Sequence, residues 1–519
     1  MHRLMISGVA LLCGAMLANG LASSPAAAQS AQDLVKQAVA AQGGADALKA
    51  LKTIAIKGEA KFWEPGQSYK PGGEPRFLGD ATYAATGDFQ NHTVRIDWDR
   101  DQKYPDPAVK LKYSEVMTQK LGYVTDEKGS QPMSGIRLAA QTREIVRGSP
   151  TLMLYALEHP DAVSSMPAQK LGNQSLPAIG LKVGPYAFTV LFDKKTKLPA
   201  AVRTRDDDNI AGDSTYDYVL SDWKPVGGVQ MAHVKSGRLN GTEVARYTEK
   251  DVSVNAPMLA NATAVPESVK NAKGPAADSP YQWVLRRIFL TRFLDSDDVI
   301  HAPGGGLKLV ELAPNVQHVQ GGTANNLIVA MKDHLVVFDA PYGEKQSRWV
   351  IDAAKAKYPG KPIKYLVLTH HHMDHTGGMR AYVAEGATVV VPQGSKEVFA
   401  KASRAPHTVA PDAQQKAGNK AAKIVEVKDT MAMKDDTMEI NLLNIPNPHV
   451  EGMIIAHVVA PNIVYVTDLI SPRGPIGRSP GTVAVGEALR KANISGATIA
   501  GGHGTTAKQS DIAPALAAN

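Results

Sequence analysis

Seven consecutive residues, Thr369 to His375 with the sequence THHHMDH, constrain this chain more than any other stretch. Four of them, His370, His372, Asp374 and His375, are potential metal ligands. Imidazoles two residues apart project to the same side of an extended segment, so they can approach a single cation. Grouping so many polar side chains costs free energy unless a cation compensates for it. The run therefore predicts a metal site.

The residues around the run indicate where in a fold it lies. Ile363 to Leu368 is an apolar, β-branched stretch that is typical of a buried parallel strand. Met379 to Glu385, after two glycines, has apolar residues spaced for one face of a helix. The predicted ligands thus occupy the loop at the carboxyl end of a strand, the edge where α/β folds place their sites.

Further motifs follow downstream, each a lone polar residue at the end of a short apolar strand. They are centred on His449, Asp468 and His503, and an upstream strand ends in Asp339. Together with the run at 369–375, whose pattern is His-x-His-x-Asp-His, they resemble the metallo-β-lactamase superfamily over roughly residues 307 to 510. The resemblance implies an α/β domain, the αββα sandwich of that superfamily, in the C-terminal part of the chain.

The resemblance also implies a ligand set for two metal ions. The first ion would be held by His370, His372 and His449, and the second by Asp374, His375 and His503, with Asp468 bridging the two. Nitrogen and oxygen ligands without thiolate suit two Zn²⁺ ions, with Mn²⁺ or Fe²⁺ as alternatives. Because position 372 is a histidine, where the oxygen-reducing diiron members carry glutamate, the pattern favours hydrolysis over redox chemistry.

The expected reaction follows from the metals. Zn²⁺ lowers the pKa of a bound water from 15.7 to about 7, so a hydroxide that bridges the ions would be the nucleophile at neutral pH. Asp374 is the predicted catalytic residue, which would orient this hydroxide and move its proton. The implied activity is cleavage of an ester, lactone, amide or β-lactam bond in a small molecule. The alternative is a lipid- or glycan-binding envelope protein with a secondary or vestigial metal centre.

Other polar residues near these motifs have lesser predicted roles. Asp339 would support the metal loop by hydrogen bonds, and His371 would face solvent or contact a ligand from outside. Arg473 and Arg478, in a loop rich in glycine and proline, are candidates for binding an anionic group of the substrate. The polar stretch at 406–420 is either a mobile flap or a surface excursion.

The N-terminus has the pattern of a secretory signal peptide over residues 1–28. A basic n-region precedes the apolar stretch Leu4 to Leu21, and small residues at Ala26 to Ala28 offer a cleavage site before Gln29. The mature protein is therefore expected in the periplasm or outside the cell. The single cysteine, Cys13, lies inside the signal, so the mature chain can form no disulfide.

Between the signal and the hydrolase the sequence predicts a second domain. A helical pattern at Ala31 to Gln42 precedes strands with alternating apolar residues, such as Val94 to Asp99 and Tyr216 to Leu220. This indicates an antiparallel β-rich α+β domain, weakly similar to periplasmic lipoprotein-carrier-like folds, or else a packing or dimerisation domain. The predicted boundaries are 29–258 for this domain, 259–306 for a linker and docking helix, and 307–519 for the hydrolase domain.

Composition argues against some partners. The chain of 519 residues carries a net charge of +7, but its basic residues are spread out, which argues against binding to nucleic acid. No stretch after the signal is long and apolar enough to form a transmembrane segment. The expected partner is a small-molecule substrate. The sequence does not decide whether the protein forms a homodimer.

Overall fold

The computed structural model describes residues 30–89, 93–258, 262–272, 281–290, 306–322, 324–513 and 516. The predicted signal peptide, part of the predicted linker and residues 291–305 after the predicted docking helix lie outside these residues. Within the described ranges, no helix is both long and apolar enough to cross a membrane.

The N-terminal domain is built on one antiparallel sheet of thirteen strands. The strands are β1 Thr53–Glu64, β2 Arg76–Asp88, β3 Thr93–Gln102, β4 Val109–Met117, β5 Gly122–Asp126, β6 Gly129–Pro132, β7 Val163–Leu171, β8 Gln174–Val183, β9 Tyr186–Phe192, β10 Pro199–Asp208, β11 Gly212–Val226, β12 Val229–Leu239 and β13 Thr242–Val254. Two meanders, β1 to β6 and β7 to β13, join where β1 pairs with β13. The predicted antiparallel β-rich domain is therefore confirmed.

Few helices accompany this sheet. In the described residues they are α1 Ala31–Ala41, α2 Ala45–Lys49, α3 Gly135–Arg147, α4 Leu152–Glu158, α5 Glu267–Lys270 and α6 Tyr281–Leu290. Ser30 and Ser134 cap the N-termini of α1 and α3 by accepting a hydrogen bond from a backbone N–H in the first turn. α3 and α6 lie over one face of the sheet, where Ala140 and Leu285 pack with Tyr216 of β11.

The C-terminal domain contains two sheets. The first runs in chain order through β14 Lys308–Ala313, β15 Val316–Gln320, β16 Asn326–Ala330, β17 Leu335–Phe338, β18 Ile363–Val367, β19 Thr388–Pro392 and β20 Ile424–Val427. The second runs through β21 Thr430–Lys434, β22 Glu439–Ile445, β23 Met453–Val458, β24 Ile463–Val466, β25 Thr498–Gly501 and β26 Thr506–Lys508. β17 to β20 pair in parallel, as do β24 and β25.

The two sheets face each other and helices cover their outer faces. The helices are α7 Glu344–Lys357, α8 Met373–Thr376, α9 Met379–Ala384, α10 Lys396–Arg404, α11 Ala413–Lys416 and α12 Pro480–Lys491. Buried residues of both sheets, among them Phe338 and Tyr465, form the central core. α7, α9 and α10 pack on the first sheet and α12 on the second, so the layers run helix, sheet, sheet, helix. This is the αββα sandwich that the sequence predicts.

The domains meet through buried polar contacts. Arg286 on α6 makes ion pairs with Glu64 and Asp208, each at 3.3 Å, and its Nη2 lies 3.7 Å from the sulfur of Met373. All three charged side chains are at least 95% buried. Because charges removed from water need partners, this network fixes the N-terminal domain and α6 against the loop of the predicted metal site.

The polar stretch at 406–420 also lies against the N-terminal domain. The carbonyl oxygen of Pro406 accepts a hydrogen bond from the Asp213 backbone at 2.6 Å, and His407 Nδ1 lies 2.8 Å from an oxygen of Asp207. This stretch therefore forms part of the contact between the domains.

Candidate metal centre

The predicted ligands meet at one edge of the C-terminal sandwich. The run at 369–375 follows β18, and the three later ligands follow β22, β24 and β25 in turn. These strands end at the same edge, so residues far apart in sequence converge there. The ligands fall into two groups, His370, His372, His449 and Asp468, and Asp374, His375, Asp468 and His503, in each of which the ligating atoms lie within 4.8 Å of one another.

Backbone and side-chain contacts fix which imidazole nitrogens face the centre. His372 Nε2 lies 3.0 Å from the carbonyl oxygen of Ser68, which can only accept, so this nitrogen carries the proton. Its Nδ1 is then a free lone pair, 3.0 Å from His449 Nε2. His375 Nδ1 lies 3.0 Å from Asp339 Oδ2, and its Nε2 lies 3.2 Å from His503 Nε2.

Asp468 lies between the two groups. Its Oδ2 is 2.9 Å from His370 Nε2 and 3.2 Å from both His375 Nε2 and His449 Nε2, and its Oδ1 is 2.7 Å from His503. One carboxylate therefore contacts imidazoles of both groups. This is the geometry of a residue that can bridge two cations.

The donor atoms fit divalent metal ions. His370 Nε2 and Asp468 Oδ2 are buried yet form no well-aligned hydrogen bond. Pairs of imidazole nitrogens face each other at about 3 Å. A cation in each group would satisfy these lone pairs, and ligands of nitrogen and oxygen alone suit Zn²⁺, Mn²⁺ or Fe²⁺.

Burial sets the protonation of the first group. Burial lowers the pKa of His370, and burial together with neighbouring imidazoles holds the pKa of His372 well below its ordinary value. Both rings are therefore neutral at physiological pH. Neutral imidazole is the form that binds a metal ion.

Carboxylates set the protonation of the second group. Burial opposes a charge on His375, but the neighbouring carboxylates of Asp468, Asp374 and Asp339 outweigh it and raise its pKa well above the ordinary value. Burial likewise opposes ionisation of Asp468, yet His375, His503 and His449 hold its pKa well below its usual range. The site thus has an excess of negative charge that a cation would balance.

Asp339 supports the metal loop from beneath. Its Oδ1 accepts hydrogen bonds from the backbone N–H of Thr369 at 2.8 Å and from the Thr369 hydroxyl at 2.9 Å, while Oδ2 faces His375. Asp339 and Asp468 both have left-handed backbones, with φ of 59° and 55°. For residues with a Cβ this conformation is strained, and such strain concentrates at functional sites.

The N-terminal domain reaches the same site, which the sequence did not predict. A short 3₁₀ helix, Pro65–Gln67, ends in Gln67, whose Nε2 donates to Asp374 Oδ1 at 2.6 Å. The hydroxyl of Tyr104 donates to Gln67 Oε1 at 2.8 Å, and the Tyr104 ring stacks on His449. Arg76 donates to the His449 carbonyl oxygen at 2.8 Å. The one feature of the sequence that could have indicated this contact is the Pro-Gly turn at 65–66, which interrupts a strand pattern beside polar residues.

The remaining candidates lie at the periphery. His371 is 8% exposed and its Nε2 lies 2.8 Å from the Ser68 carbonyl oxygen, so it contacts the N-terminal domain rather than solvent. Arg473 and Arg478 are both exposed. Arg478 donates to the Leu516 carbonyl oxygen at 3.1 Å, away from the centre, whereas Arg473 lies beside the loop of His503, where a Cβ on Gly504 would meet its Cγ at 2.9 Å.

An αββα sandwich that gathers histidines and aspartates at one edge of its strands defines the metallo-β-lactamase fold. Residues 320–507 match the family model described as the Metallo-beta-lactamase superfamily. Over these residues the C-terminal domain therefore resembles that superfamily in its sequence as well as in its layered fold.

Two curated relatives share a short region with this chain. A linear primary-alkylsulfatase from a Pseudomonas species is 29% identical over 103 residues, and an (R)-specific secondary-alkylsulfatase from a Pseudomonas species is 32% identical over 102 residues. Each alignment covers 20% of this chain and 15% of the relative.

Solved structures that are similar to part of this chain include metallo-β-lactamases and a sulfatase. A metallo-β-lactamase from Pontibacter korlensis is 15% identical with a TM-score of 0.32, over 40% of this chain and 97% of that one. A stereoselective inverting sec-alkylsulfatase from a Pseudomonas species is 17% identical with a TM-score of 0.32, over 40% of this chain and 41% of that one.

Proposed function

We propose that this protein is an exported hydrolase that depends on two divalent metal ions, with zinc as the preferred metal. The observation that carries the proposal is the convergence of seven ligands into two groups that share Asp468. A mononuclear site would need neither the second group nor a carboxylate placed between them.

The chain's own residues would prepare the reaction as follows. The bound ions would supply an activated water and polarise the scissile bond. Asp374 lies at the centre, held by Gln67, where its carboxylate can orient that water and take up its proton. Thr369 and Asp339 would keep the ligand loop rigid, so that the reacting groups need no rearrangement.

For the substrate we propose an ester, and sulfate esters of alkyl alcohols as the class to test first. Two alkylsulfatases are similar to this chain over about 100 residues. Arg473, exposed beside the His503 loop, is a cation that an anionic sulfate could approach. A carboxylic ester, a lactone, an amide and a β-lactam are the other bonds that this chemistry would cleave.

Export rests on the sequence at 1–28, which has the three parts of a signal peptide. Expression of the full chain in a bacterium with an outer membrane, followed by fractionation and N-terminal sequencing, tests it. We expect a periplasmic or secreted protein beginning at Gln29; a cytoplasmic protein that retains Met1 would contradict export.

The activity is tested by metal analysis combined with a substrate panel. The purified protein would be assayed on dodecyl sulfate, a secondary alkyl sulfate, an aryl ester, a lactone and a chromogenic β-lactam, before and after chelation. We expect two zinc ions per chain and turnover that chelation abolishes and zinc restores. No turnover of any substrate by the zinc-loaded protein would instead favour a binding protein with a vestigial centre.

A further inference from the structure

The N-terminal domain contains a large, partly open cavity that is separate from the metal centre. Its volume is about 640 Å³, within the range of about 300–1,000 Å³ that is typical of ligand pockets. One face of the sheet forms its floor through Ile56, Ala85 and Ile96, and helices α3 and α6 cover it through Ile145 and Phe289. None of the metal ligands lines it.

The cavity is lined mainly by apolar and aromatic side chains. Trp98, Leu285 and Tyr155 also line the cavity, beside the strand and helix residues named above. Water in such a space makes few hydrogen bonds, so an apolar occupant would replace it favourably. A long apolar chain suits this lining, because it can lie between the sheet and the two helices.

Three tyrosines supply polar contacts within this apolar space. Tyr83, Tyr218 and Tyr247 line the cavity, and no described residue forms a hydrogen bond with their hydroxyls. Burial raises the pKa of all three phenols, so they remain protonated donors. A ligand oxygen placed among them would accept a hydrogen bond that the protein leaves unmade.

The charges at the wall select against an anionic ligand. Glu249 lines the cavity with Lys235, but these two form an ion pair at 2.5 Å and neutralise each other. Glu144, which also lines the cavity, is paired in the same way with Arg147. Lys235 is the only lysine or arginine that lines the cavity among the described residues, so a carboxylate or sulfate head placed there would be buried without a cation of its own, which is costly.

From this lining we infer that the N-terminal domain binds one long alkyl or acyl chain that carries an uncharged oxygen, such as a fatty alcohol or a fatty ester. The inference does not depend on the proposed hydrolysis, because the cavity shares no residue with the metal centre. An alcohol released from an alkyl ester and a neutral lipid are the two sources of such a chain.

Trp98 provides a direct probe, because bromine quenches tryptophan fluorescence on contact. The full chain would be titrated with 12-bromododecan-1-ol, with methyl 12-bromododecanoate and with the 12-bromododecanoate anion. We expect saturable quenching by the alcohol or the ester, with the stronger of the two naming the source, and weaker quenching by the anion. Trp98→Phe should lose most of this quenching, whereas Trp349→Phe, in the C-terminal domain, should retain it.

A matched pair of variants tests the location. Ala85 lines the cavity, whereas its neighbour Ala84 points to the opposite face of β2. Ala85→Leu should weaken binding of the brominated alcohol about tenfold, and Ala84→Leu should leave it unchanged. Equal effects of the two variants, or no quenching of the wild-type protein, would overturn the inference. The same titration on His370→Ala, which lacks a metal ligand, should give unchanged quenching. Binding in the cavity is thereby distinguished from turnover at the metal centre.

Discussion

The side-chain amide of Gln67 donates a hydrogen bond from Nε2 to Asp374 Oδ1 at 2.6 Å, so the N-terminal domain holds the carboxylate at the centre of the metal site. Both side chains are largely enclosed, and Tyr104 in turn fixes the orientation of the Gln67 amide. The two domains are therefore parts of one site. Removing either would leave the other with unpaired polar groups.

Replacing Gln67 should weaken the metal centre without removing a ligand. Partners that orient metal ligands typically contribute 10- to 100-fold to metal affinity or activity, so we expect a loss of roughly that size in Gln67→Leu. Zinc titration and kcat measurement on the same preparations check it. Gln174→Leu, at an exposed position on β8, is the control. Equal zinc affinity and kcat in the two variants would mean that the Gln67 side chain contributes only packing.

The position of Asp468 between the groups predicts how metal content responds to substitution. Asp468→Ala should reduce occupancy of both groups, because its carboxylate faces histidines of each. His449→Ala should affect only the first group and leave about one ion per chain. Elemental analysis after dialysis against a limiting zinc buffer checks both. His457→Ala, on β23 and outside the ligand groups, should keep the wild-type content; two ions retained by Asp468→Ala would remove its bridging role.

The sequence predicted the parts of the fold that local patterns encode. The apolar stretch before the histidine run forms β18, and the amphipathic stretch after it forms α9. The alternating segments of the N-terminal half are strands, as predicted. Their assembly into one sheet depends on the pairing of β1 with β13, which are about 190 residues apart in the chain. Such pairing depends on packing rather than on the strand propensity of the local sequence, so no sequence pattern predicted it.

The residues of the candidate site also differ in whether a local pattern predicts them. Its seven predicted ligands are spaced in recognisable motifs and the structure brings them together. Gln67, Ser68 and Tyr104 reach the site from a different domain, roughly 300 to 350 residues earlier than the ligands they contact. Each contacts a metal ligand through a single hydrogen bond or a ring contact. Residues of such ordinary types acquire a role only when the domains meet.

Acid should destabilise the C-terminal domain through His318. This ring is fully buried, its Nε2 lies 2.9 Å from the Gly501 carbonyl oxygen, and burial lowers its pKa from 6.5 to about 4. Above pH 6.5 the ring is neutral in both states. As the pH falls from 6.5 to 4 the unfolded chain takes up the proton first, so the folded state loses up to about 3 kcal/mol of stability.

Urea unfolding of the metal-free protein at a series of pH values checks this dependence. His318→Gln, which keeps a donor for Gly501, should flatten the loss of stability between pH 6.5 and 4. His457→Gln controls for the removal of one histidine. An unchanged acid dependence in His318→Gln would assign the effect to other groups.

The buried ion pair between Arg137 and Glu115 should be the most sensitive single contact of the N-terminal domain. The two side chains are 1% and 2% exposed, 2.6 Å apart, and Glu115 also accepts hydrogen bonds from Trp98 and Gln141. Removing the cation leaves a carboxylate buried without its charge partner, which typically costs about 3–5 kcal/mol. We therefore expect Arg137→Met to lower the free energy of unfolding by that amount.

The comparison is with an exposed pair of the same sheet. Lys112 and Asp99 lie 2.9 Å apart, but their side chains are 77% and 48% exposed, so water screens the attraction. Lys112→Met should cost at most about 1 kcal/mol. Urea denaturation of both variants, followed by tryptophan fluorescence, measures the difference. If both variants lose little free energy of unfolding, the Arg137 site admits water or relaxes around the lone carboxylate. If only Arg137→Met loses much, burial of the pair, rather than charge pairing as such, decides the size of the effect.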